Sequence, residues 1–214
     1  MVEGKRARWR TAAVPLLAGL ALACRSAPVR TAMTPGGGVG LDDGPTRWLM
    51  LPDEQRKFRH LNSTREAVDF IEDFWRRRDP DPNTPGNEFS KTFYERVEAA
   101  DRLYSEGGTR GSLTDRGRAL ILLGPPPVLR FSQKRVPAWD PGKPGAPSAI
   151  QTRSVSLESW VYTREDLPPA LRQHLEEEDP RPEIVLVFVV DPRHTYLTDG
   201  EKYLEMAVRA AVQE

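Results

Sequence analysis

The sequence has few of the side chains that most often carry out catalysis or cross-linking. It contains one cysteine, Cys24, and three histidines, His60, His174 and His194. A single thiol cannot form an intramolecular disulfide, so the folded part of the chain must be stabilised by packing. The histidines are far apart and none lies in a His-Glu-x-x-His pattern, and no Gly-x-Ser-x-Gly elbow is present. The sequence therefore predicts neither a zinc hydrolase nor a serine hydrolase of these types.

The sequence also lacks an excess of either charge. It has 31 basic and 31 acidic side chains, and without residues 1–23 the acidic side chains are slightly more numerous. Nucleic-acid binding normally requires a basic surface that displaces counter-ions from the phosphates. We therefore expect no nucleic-acid partner.

The N-terminal apolar run is too short to span a bilayer, which takes about 20 apolar residues. It has instead the order of a secretory signal peptide, because a basic stretch from Lys5 to Arg10 precedes the apolar run from Thr11 to Ala23. The sequence Leu20-Ala21-Leu22-Ala23-Cys24 resembles a bacterial lipobox. We therefore predict a signal peptide at residues 1–23 and a lipid group on the sulfur of Cys24. Ordinary secretion after Ala23 and an uncleaved anchor are the alternatives.

Residues 24–46 are predicted to form a lipidated cysteine followed by a flexible tether. Ser26 to Thr46 is rich in small residues and has no apolar periodicity. Two acyl chains on Cys24 would attach the protein stably to a membrane. Arg25, and not an aspartate, follows the cysteine, which favours the outer membrane with the domain facing the periplasm. The predicted partner on this side is the membrane itself.

Helical patterns run from Trp48 to Arg78 and again after Asn87. Pro52 suits a first helical turn, and Ser63-Thr64-Arg65-Glu66 fits a capping box. The helix that begins at this capping box should have its apolar side on Ala67, Val68, Phe70, Ile71, Phe74 and Trp75. Asn87 should cap the next helix, whose apolar stripe is Phe89, Phe93, Val97, Ala100 and Tyr104, and Gly107-Gly108 should end it.

The second half of the chain has the patterns of strands. We expect a buried strand at Arg118–Leu123, a strand at Leu157–Tyr162 and a central strand at Glu183–Val190. Gln133–Gln151 should be a long surface excursion, and Asp199 should cap a final helix. The sequence thus predicts an α+β fold, with two or three N-terminal helices packed on a small, mainly antiparallel sheet and a C-terminal helix.

Short motifs recur in a fixed order through the first half of the chain. The residues concerned are Phe74, Trp75, Arg78, Asp79, Pro80, Asn87, Glu88, Arg96, Gly111, Thr114, Asp115, Arg116, Gly117, Gly124, Pro125 and Pro126. This series resembles the GWxTD domain family, found mostly in exported bacterial proteins that are often lipoproteins. The resemblance is best over residues 48–126 of a domain expected at 47–214, and Ser112 stands where the family has its tryptophan. It implies a compartment and no particular reaction.

Two chemical interpretations of these motifs are open. In the first, Thr114 to Gly117 is a turn between a helix and a strand, where Gly111 and Gly117 allow positive φ. Arg76 to Arg78 and Asp79 would then pair with Asp115 or Glu88 and clamp the helices to this turn. In the second, the same turn is a binding or catalytic site.

The segment after the first long helix partly resembles a calcium-binding loop. Asp79, Asp81 and Asn83 alternate as in the start of a calcium loop, but Thr84 and Ser90 occupy the positions of the glycine and the glutamate that such a loop needs. We therefore interpret the segment as a proline-stiffened helix terminator and expect no metal and no cofactor.

The sequence leaves three functions open. The first is a non-enzymatic envelope lipoprotein that binds another envelope protein or a wall component. The second is a hydrolase or metal-dependent enzyme, in which Asp79, Glu88 and Asp115 converge in one open cleft with Arg78 and Arg116 as charge stabilisers. The third is a structural part of a larger assembly.

Overall fold

The computed structural model describes residues 44–137, 152–179 and 181–212. The predicted signal peptide, Cys24 and almost all of the predicted tether lie outside these residues. No helix in the described ranges is long and apolar enough to cross a membrane.

Helices and strands follow one another in an α+β order. The helices are α1 (Pro52–Arg59), α2 (Thr64–Arg76), α3 (Glu88–Leu103), α4 (Asp115–Leu123), α5 (Pro169–Glu178) and α6 (Glu201–Ala210). The strands are β1 (Val128–Pro137), β2 (Thr152–Thr163), β3 (Glu183–Val190) and β4 (Thr195–Asp199). Short 3₁₀ helices lie at Pro45–Leu49, Gly111–Leu113 and Arg164–Asp166. The predicted fold class is confirmed.

The four strands form one antiparallel sheet in the order β1-β2-β3-β4. β3 pairs on both sides, so the prediction of a central strand at Glu183–Val190 is confirmed. Alternate residues of the inner strands point into the core, where Trp160, Tyr162, Leu186 and Phe188 are fully buried. The same core includes Phe74 of α2, which lies among the N-terminal helices.

Two helix starts follow from local chemistry, as predicted. The side chain of Ser63 accepts a hydrogen bond from the Glu66 amide, and that of Asn87 accepts one from the Ser90 amide at 2.8 Å. Each bond satisfies an amide that would have no partner in the first turn. Pro52 occupies the first turn of α1, where its missing N–H costs nothing.

The prediction of a strand at Arg118–Leu123 is wrong, because these residues form the last turns of α4. Thr114 caps this helix by accepting a hydrogen bond from the Gly117 amide at 3.1 Å. The five residues from Ala119 to Leu123 are all buried. A helix that is buried all round has no apolar period, and a short run of this kind resembles a buried strand.

Three further boundaries differ from prediction. Residues 133–137 belong to β1, so only the rest of the predicted excursion, which lies outside the described residues, stays untested. Asp199 ends β4 and does not cap α6, whose N-cap is Gly200 at φ 98° without a side-chain bond. α3 ends at Leu103, and Gly107 and Gly108 form the turn of a small bridge after it.

The apolar side of α2 is narrower than predicted. Ala67, Phe70 and Phe74 are buried, whereas Val68 is 42% exposed. The first three lie at helical spacing on one face, and Val68 is rotated about 100° away from Ala67.

Candidate functional site

The motif segment from Gly111 to Gly117 joins α3 to α4 through a 3₁₀ turn. The Ser112 amide donates to Oδ1 of Asp101 in α3 at 2.8 Å. Nε1 of Trp48, far away in the sequence, donates to the Ser112 carbonyl oxygen at 2.8 Å. Ser112 is fully buried. The segment is thus held from two sides by partners in other elements.

The pKa of Asp101 reflects this arrangement. Burial alone would raise the pKa, but the hydrogen bond from the Ser112 amide and the ion pair with Arg110 outweigh it and hold the pKa below its usual value. Asp101 is therefore an ionised support for the segment.

Gly111 and Gly117 do not use the positive φ that glycine allows. Their role is close packing of backbone against backbone. A Cβ atom on Gly111 would lie 1.8 Å from the Ala100 carbonyl oxygen, and one on Gly117 would lie 1.8 Å from the Gly111 carbonyl oxygen. Only a residue without a side chain allows α3, the 3₁₀ turn and α4 to approach this closely.

Asp115 and Arg116 connect the segment to the sheet. Oδ2 of Asp115 accepts a hydrogen bond from the Leu197 amide of β4 at 2.7 Å. Arg116 pairs with Glu106 at 2.9 Å and with Glu158 of β2 at 3.3 Å. The expected pairing of Asp115 with the arginines that end α2 is therefore wrong.

Arg78 pairs with a residue that the sequence did not single out. Its Nη1 and Nη2 donate to the two carboxylate oxygens of Glu54 in α1, at 3.0 and 2.7 Å. Arg77 pairs with the same carboxylate, and Arg76 pairs with Asp73. Burial lowers the pKa of Arg78, and the bonds to Glu54 oppose that shift.

The position of Glu54 in the sequence is itself typical of a helix start, although the sequence analysis does not single it out. It is the third residue of α1, and its Oε2 accepts a hydrogen bond from the Leu51 amide at 2.8 Å. An acid at that position, just after Pro52, is typical of a helix start.

Asn87 and Asp79 organise the connection from α2 to α3. Besides capping α3, Asn87 donates through Nδ2 to the carbonyl oxygen of Trp75 at 2.6 Å. Asp79 accepts from the Asp81 amide, as in a local turn. Within the described ranges no group of three or more His, Cys, Asp or Glu side chains could hold a metal ion.

Several motif residues border an apolar groove of about 430 Å³. Its charged lining residues are Arg78, Glu88 and Arg96, and Pro80 and Thr92 also line it. The apolar part of the lining comes from α3, α4, α5 and α6 and includes Phe89, Phe93, Ile121, Leu171 and Ala210. A volume of this size accommodates a few side chains or a small ligand.

Of the two arginines that line the groove, Arg96 is the one without an acidic partner among the described residues. Its Nη1 donates to the Ile121 carbonyl oxygen at 3.0 Å, at the C-terminal end of α4. Gly124, at φ 91°, leaves room for the guanidinium, since a Cβ there would lie 2.9 Å from Nη2. Among the described residues no carboxylate lies within 4.0 Å of Arg96, and burial lowers its pKa.

Gly124 also connects the groove to the sheet. Tyr162 of β2 donates its hydroxyl to the Gly124 carbonyl oxygen at 2.9 Å, and burial raises the pKa of this tyrosine. Pro125 and Pro126 follow and lead from α4 into β1. Since proline lacks an N–H and disfavours helix in the preceding residue, this pair explains why α4 stops at Leu123.

The five residues of the alternative enzyme site do not converge in one cleft. Arg78 and Glu88 border the groove, whereas Asp115 bonds to β4 and Arg116 bonds to Glu106 and Glu158. The described contacts give that alternative no support.

Comparison with known proteins agrees with the motif series. The family model of the GWxTD domain matches residues 44–140. No curated protein and no solved structure matches the chain. The match to this family model over residues 44–140 confirms the resemblance inferred from the motifs.

Proposed function

We propose that this chain is an exported lipoprotein, anchored to a membrane through Cys24, whose GWxTD domain binds another envelope protein and catalyses no reaction. The N-terminal sequence supports export and anchoring. The observation that carries the binding role is the apolar groove bordered by Arg78, Glu88 and Arg96.

The charged motif residues bind other groups of the same domain, and this supports a binding role over a catalytic one. Glu54 neutralises Arg78 inside the protein, the Leu197 amide binds Asp115, and two glutamates surround Arg116. Charged groups that are bound in this way hold elements together, and they would have to break those bonds to meet a substrate.

The chemistry of the groove favours a protein partner over a wall polymer. Glycan chains present hydroxyl groups, which need many hydrogen-bond partners when they are buried. The lining offers mainly Phe, Leu, Ile, Pro and Ala side chains. We infer that an apolar segment of a partner protein occupies the groove and that an acidic side chain of that segment pairs with Arg96.

The anchor is tested on the mature N-terminus. In the bacterium that makes this protein, we expect mass spectrometry to find a chain that begins at Cys24 with acyl groups on its sulfur and amine. Cys24→Ala should abolish acylation and release the protein from the membrane fraction. A retained initiating methionine with an unmodified thiol would overturn the proposal.

The groove is tested by site-specific photocross-linking in cells. A photoreactive residue at Thr92, an exposed position that borders the groove, should give one discrete cross-linked partner. The same residue at Glu98, exposed on α3 but outside the lining, is the matched control and should give none.

Two substitutions then separate the contributions of shape and charge. Ala210→Trp should fill the groove and remove the cross-link, and Arg96→Gln should weaken it, whereas Glu98→Trp should leave it unchanged. Equal cross-linking from positions 92 and 98, or a cross-link that survives Ala210→Trp in a protein of unchanged melting temperature, would overturn the assignment of the groove.

A further inference from the structure

A second cleft, separate from the apolar groove, is lined by four arginines. Its volume is about 770 Å³, and its charged and aromatic lining consists of Arg47, Trp48, Arg59, Arg118, Glu205 and Arg209. The four arginines come from the first 3₁₀ helix, α1, α4 and α6, so the fold brings them together from distant parts of the sequence.

Trp48 lies at the centre of this arrangement. The guanidinium carbon of Arg47 is 4.1 Å from the centroid of the indole, and that of Arg118 is 5.2 Å from it. The hydrogen bond from Trp48 to the Ser112 carbonyl oxygen fixes the ring against the motif segment. Stacking on a fixed ring orients both guanidinium groups before any ligand arrives.

Positive charge exceeds negative charge around the indole. Arg118 pairs with Glu201 at 2.7 Å, and Arg209 lies 3.8 Å from Glu178. Within the ranges that the structure describes, Arg47 and Arg59 have no carboxylate within 4.0 Å. Guanidinium groups without a carboxylate partner favour an anion that can accept several hydrogen bonds.

Two residues of the cleft lie close in sequence to the proposed lipid anchor at Cys24, and this indicates a membrane source for the anion. Arg47 and Trp48 lie at the start of the described fold, about 20 residues after Cys24 in the sequence, and the flexible tether expected from the sequence would have a root-mean-square reach of about 25 Å. A domain tethered so closely would stay near the lipid headgroups. Arginine and tryptophan are also the side chains that favour a charged membrane interface.

We propose that this cleft binds the phosphate of an anionic phospholipid headgroup and so orients the domain on the membrane. Arg47, which has no carboxylate within 4.0 Å among the described residues, binds the phosphate, Trp48 lies at the interface, and Arg59, Arg118 and Arg209 add electrostatic attraction. This inference rests on the proposed anchoring through Cys24, but the cleft can be tested without the lipid anchor.

The test uses the chain from residue 24 to 214 with Cys24→Ser, which retains every described residue and carries no acyl group. Its binding is measured by co-sedimentation with vesicles of phosphatidylglycerol and phosphatidylethanolamine, and with vesicles of phosphatidylcholine alone. We expect binding to the anionic vesicles only, and we expect added salt to weaken it.

The variants locate the binding. Arg47→Gln and Arg59→Gln should each weaken binding about fivefold, because one basic residue near an anionic surface contributes roughly that factor. Arg65→Gln, which removes the same charge from an exposed site on α2, should leave binding unchanged. Arg59 is exposed, so its variant tests the cleft without risk to the fold.

Three results would overturn the inference. They are equal binding to neutral vesicles, equal losses from Arg65→Gln and Arg47→Gln, and abolition of vesicle binding by glycerol phosphate at the same phosphate concentration, which would make the cleft a site for soluble phosphate esters. Failure of this test leaves the acylation of Cys24 to be decided separately by mass spectrometry.

Discussion

Arg78 and Glu54 form a buried, two-point ion pair between the end of α2 and the start of α1. Their relative exposures are 1% and 4%, and both nitrogen–oxygen contacts are 3.0 Å or shorter. Nη2 of Arg78 also donates to the Leu49 carbonyl oxygen at 2.7 Å. One guanidinium therefore joins the first 3₁₀ helix, α1 and α2.

Breaking this pair should be costly. Glu54→Gln leaves a buried guanidinium without its counter-charge, and we expect a loss of about 3–5 kcal/mol in the free energy of unfolding. Asp53→Asn removes an acid from the neighbouring exposed position, and we expect a change of less than about 0.5 kcal/mol. Urea denaturation measures both. A similar loss from the two variants would contradict the structural role of the pair.

The packing of Gly111 predicts a sharp difference between glycines. Gly111→Ala places a methyl group 1.8 Å from the Ala100 carbonyl oxygen, so α3 and the turn must separate, and we expect a loss above about 3 kcal/mol or a failure to fold. Gly108, at φ 81°, has no atom within 4 Å of a built Cβ, so Gly108→Ala should cost only about 1–2 kcal/mol of backbone strain. Thermal melts that rank the two variants in the reverse order would refute this interpretation.

Asp179 predicts a pH dependence of stability. Hydrogen bonds from Arg181 and Lys202 hold its pKa well below the usual value, and Tyr203 donates to the same oxygen as Lys202. A carboxyl whose pKa is lowered by folding stabilises the protein above the pKa of the unfolded chain, about 4, and this contribution is lost as the pH falls towards the folded value.

Asp179→Asn should therefore unfold at a lower urea concentration than the parent chain at pH 7. The difference between the two midpoints should shrink as the pH is lowered from 4 to 2. Asp69→Asn, at an exposed pair on α2, should show no such convergence. A midpoint difference that does not change with pH would mean that packing, and not charge, makes Asp179 important.

Two phenylalanines, one in α2 and one in β1, should behave differently. Phe74 is fully buried, and Phe74→Ala should cost about 3–5 kcal/mol. Phe131 on the edge strand β1 is 73% exposed, and Phe131→Ala should change stability by less than about 0.5 kcal/mol. Chemical denaturation of both variants checks this, and a large loss for Phe131→Ala would show that a partner or another segment covers β1.

Local chemistry made some elements predictable. Ser63 and Asn87 start α2 and α3 through bonds to amides three residues ahead, so the pattern is visible in a short stretch of sequence. Between its exposed ends β3 alternates buried and half-buried residues, and its many branched side chains predict a strand. The motif series is also visible in the order of the residues, and it predicts the family whose model matches the chain.

Long-range partners could not be predicted. The sequence predicts that Arg78 pairs with Asp115 or Glu88, whereas its partner in the structure is Glu54 of α1. The acid nearest in space depends on how α1 packs on α2, which no local pattern encodes. The apolar run of α4 predicts a strand but forms a helix. Burial on all sides removes the apolar period that distinguishes a helix from a strand in the sequence.

By itself, the sequence determined where α1, α2 and α3 begin, that Leu157–Tyr162 and Glu183–Val190 lie in strands, and which family the motifs match. The tertiary structure alone decided that Gly111 and Gly117 serve close packing, that Arg78 is neutralised by Glu54, and that four arginines surround Trp48. The physical reason is distance along the chain. A cap or a turn is settled within a few residues, whereas a buried ion pair or a cleft exists only after packing has brought remote residues together.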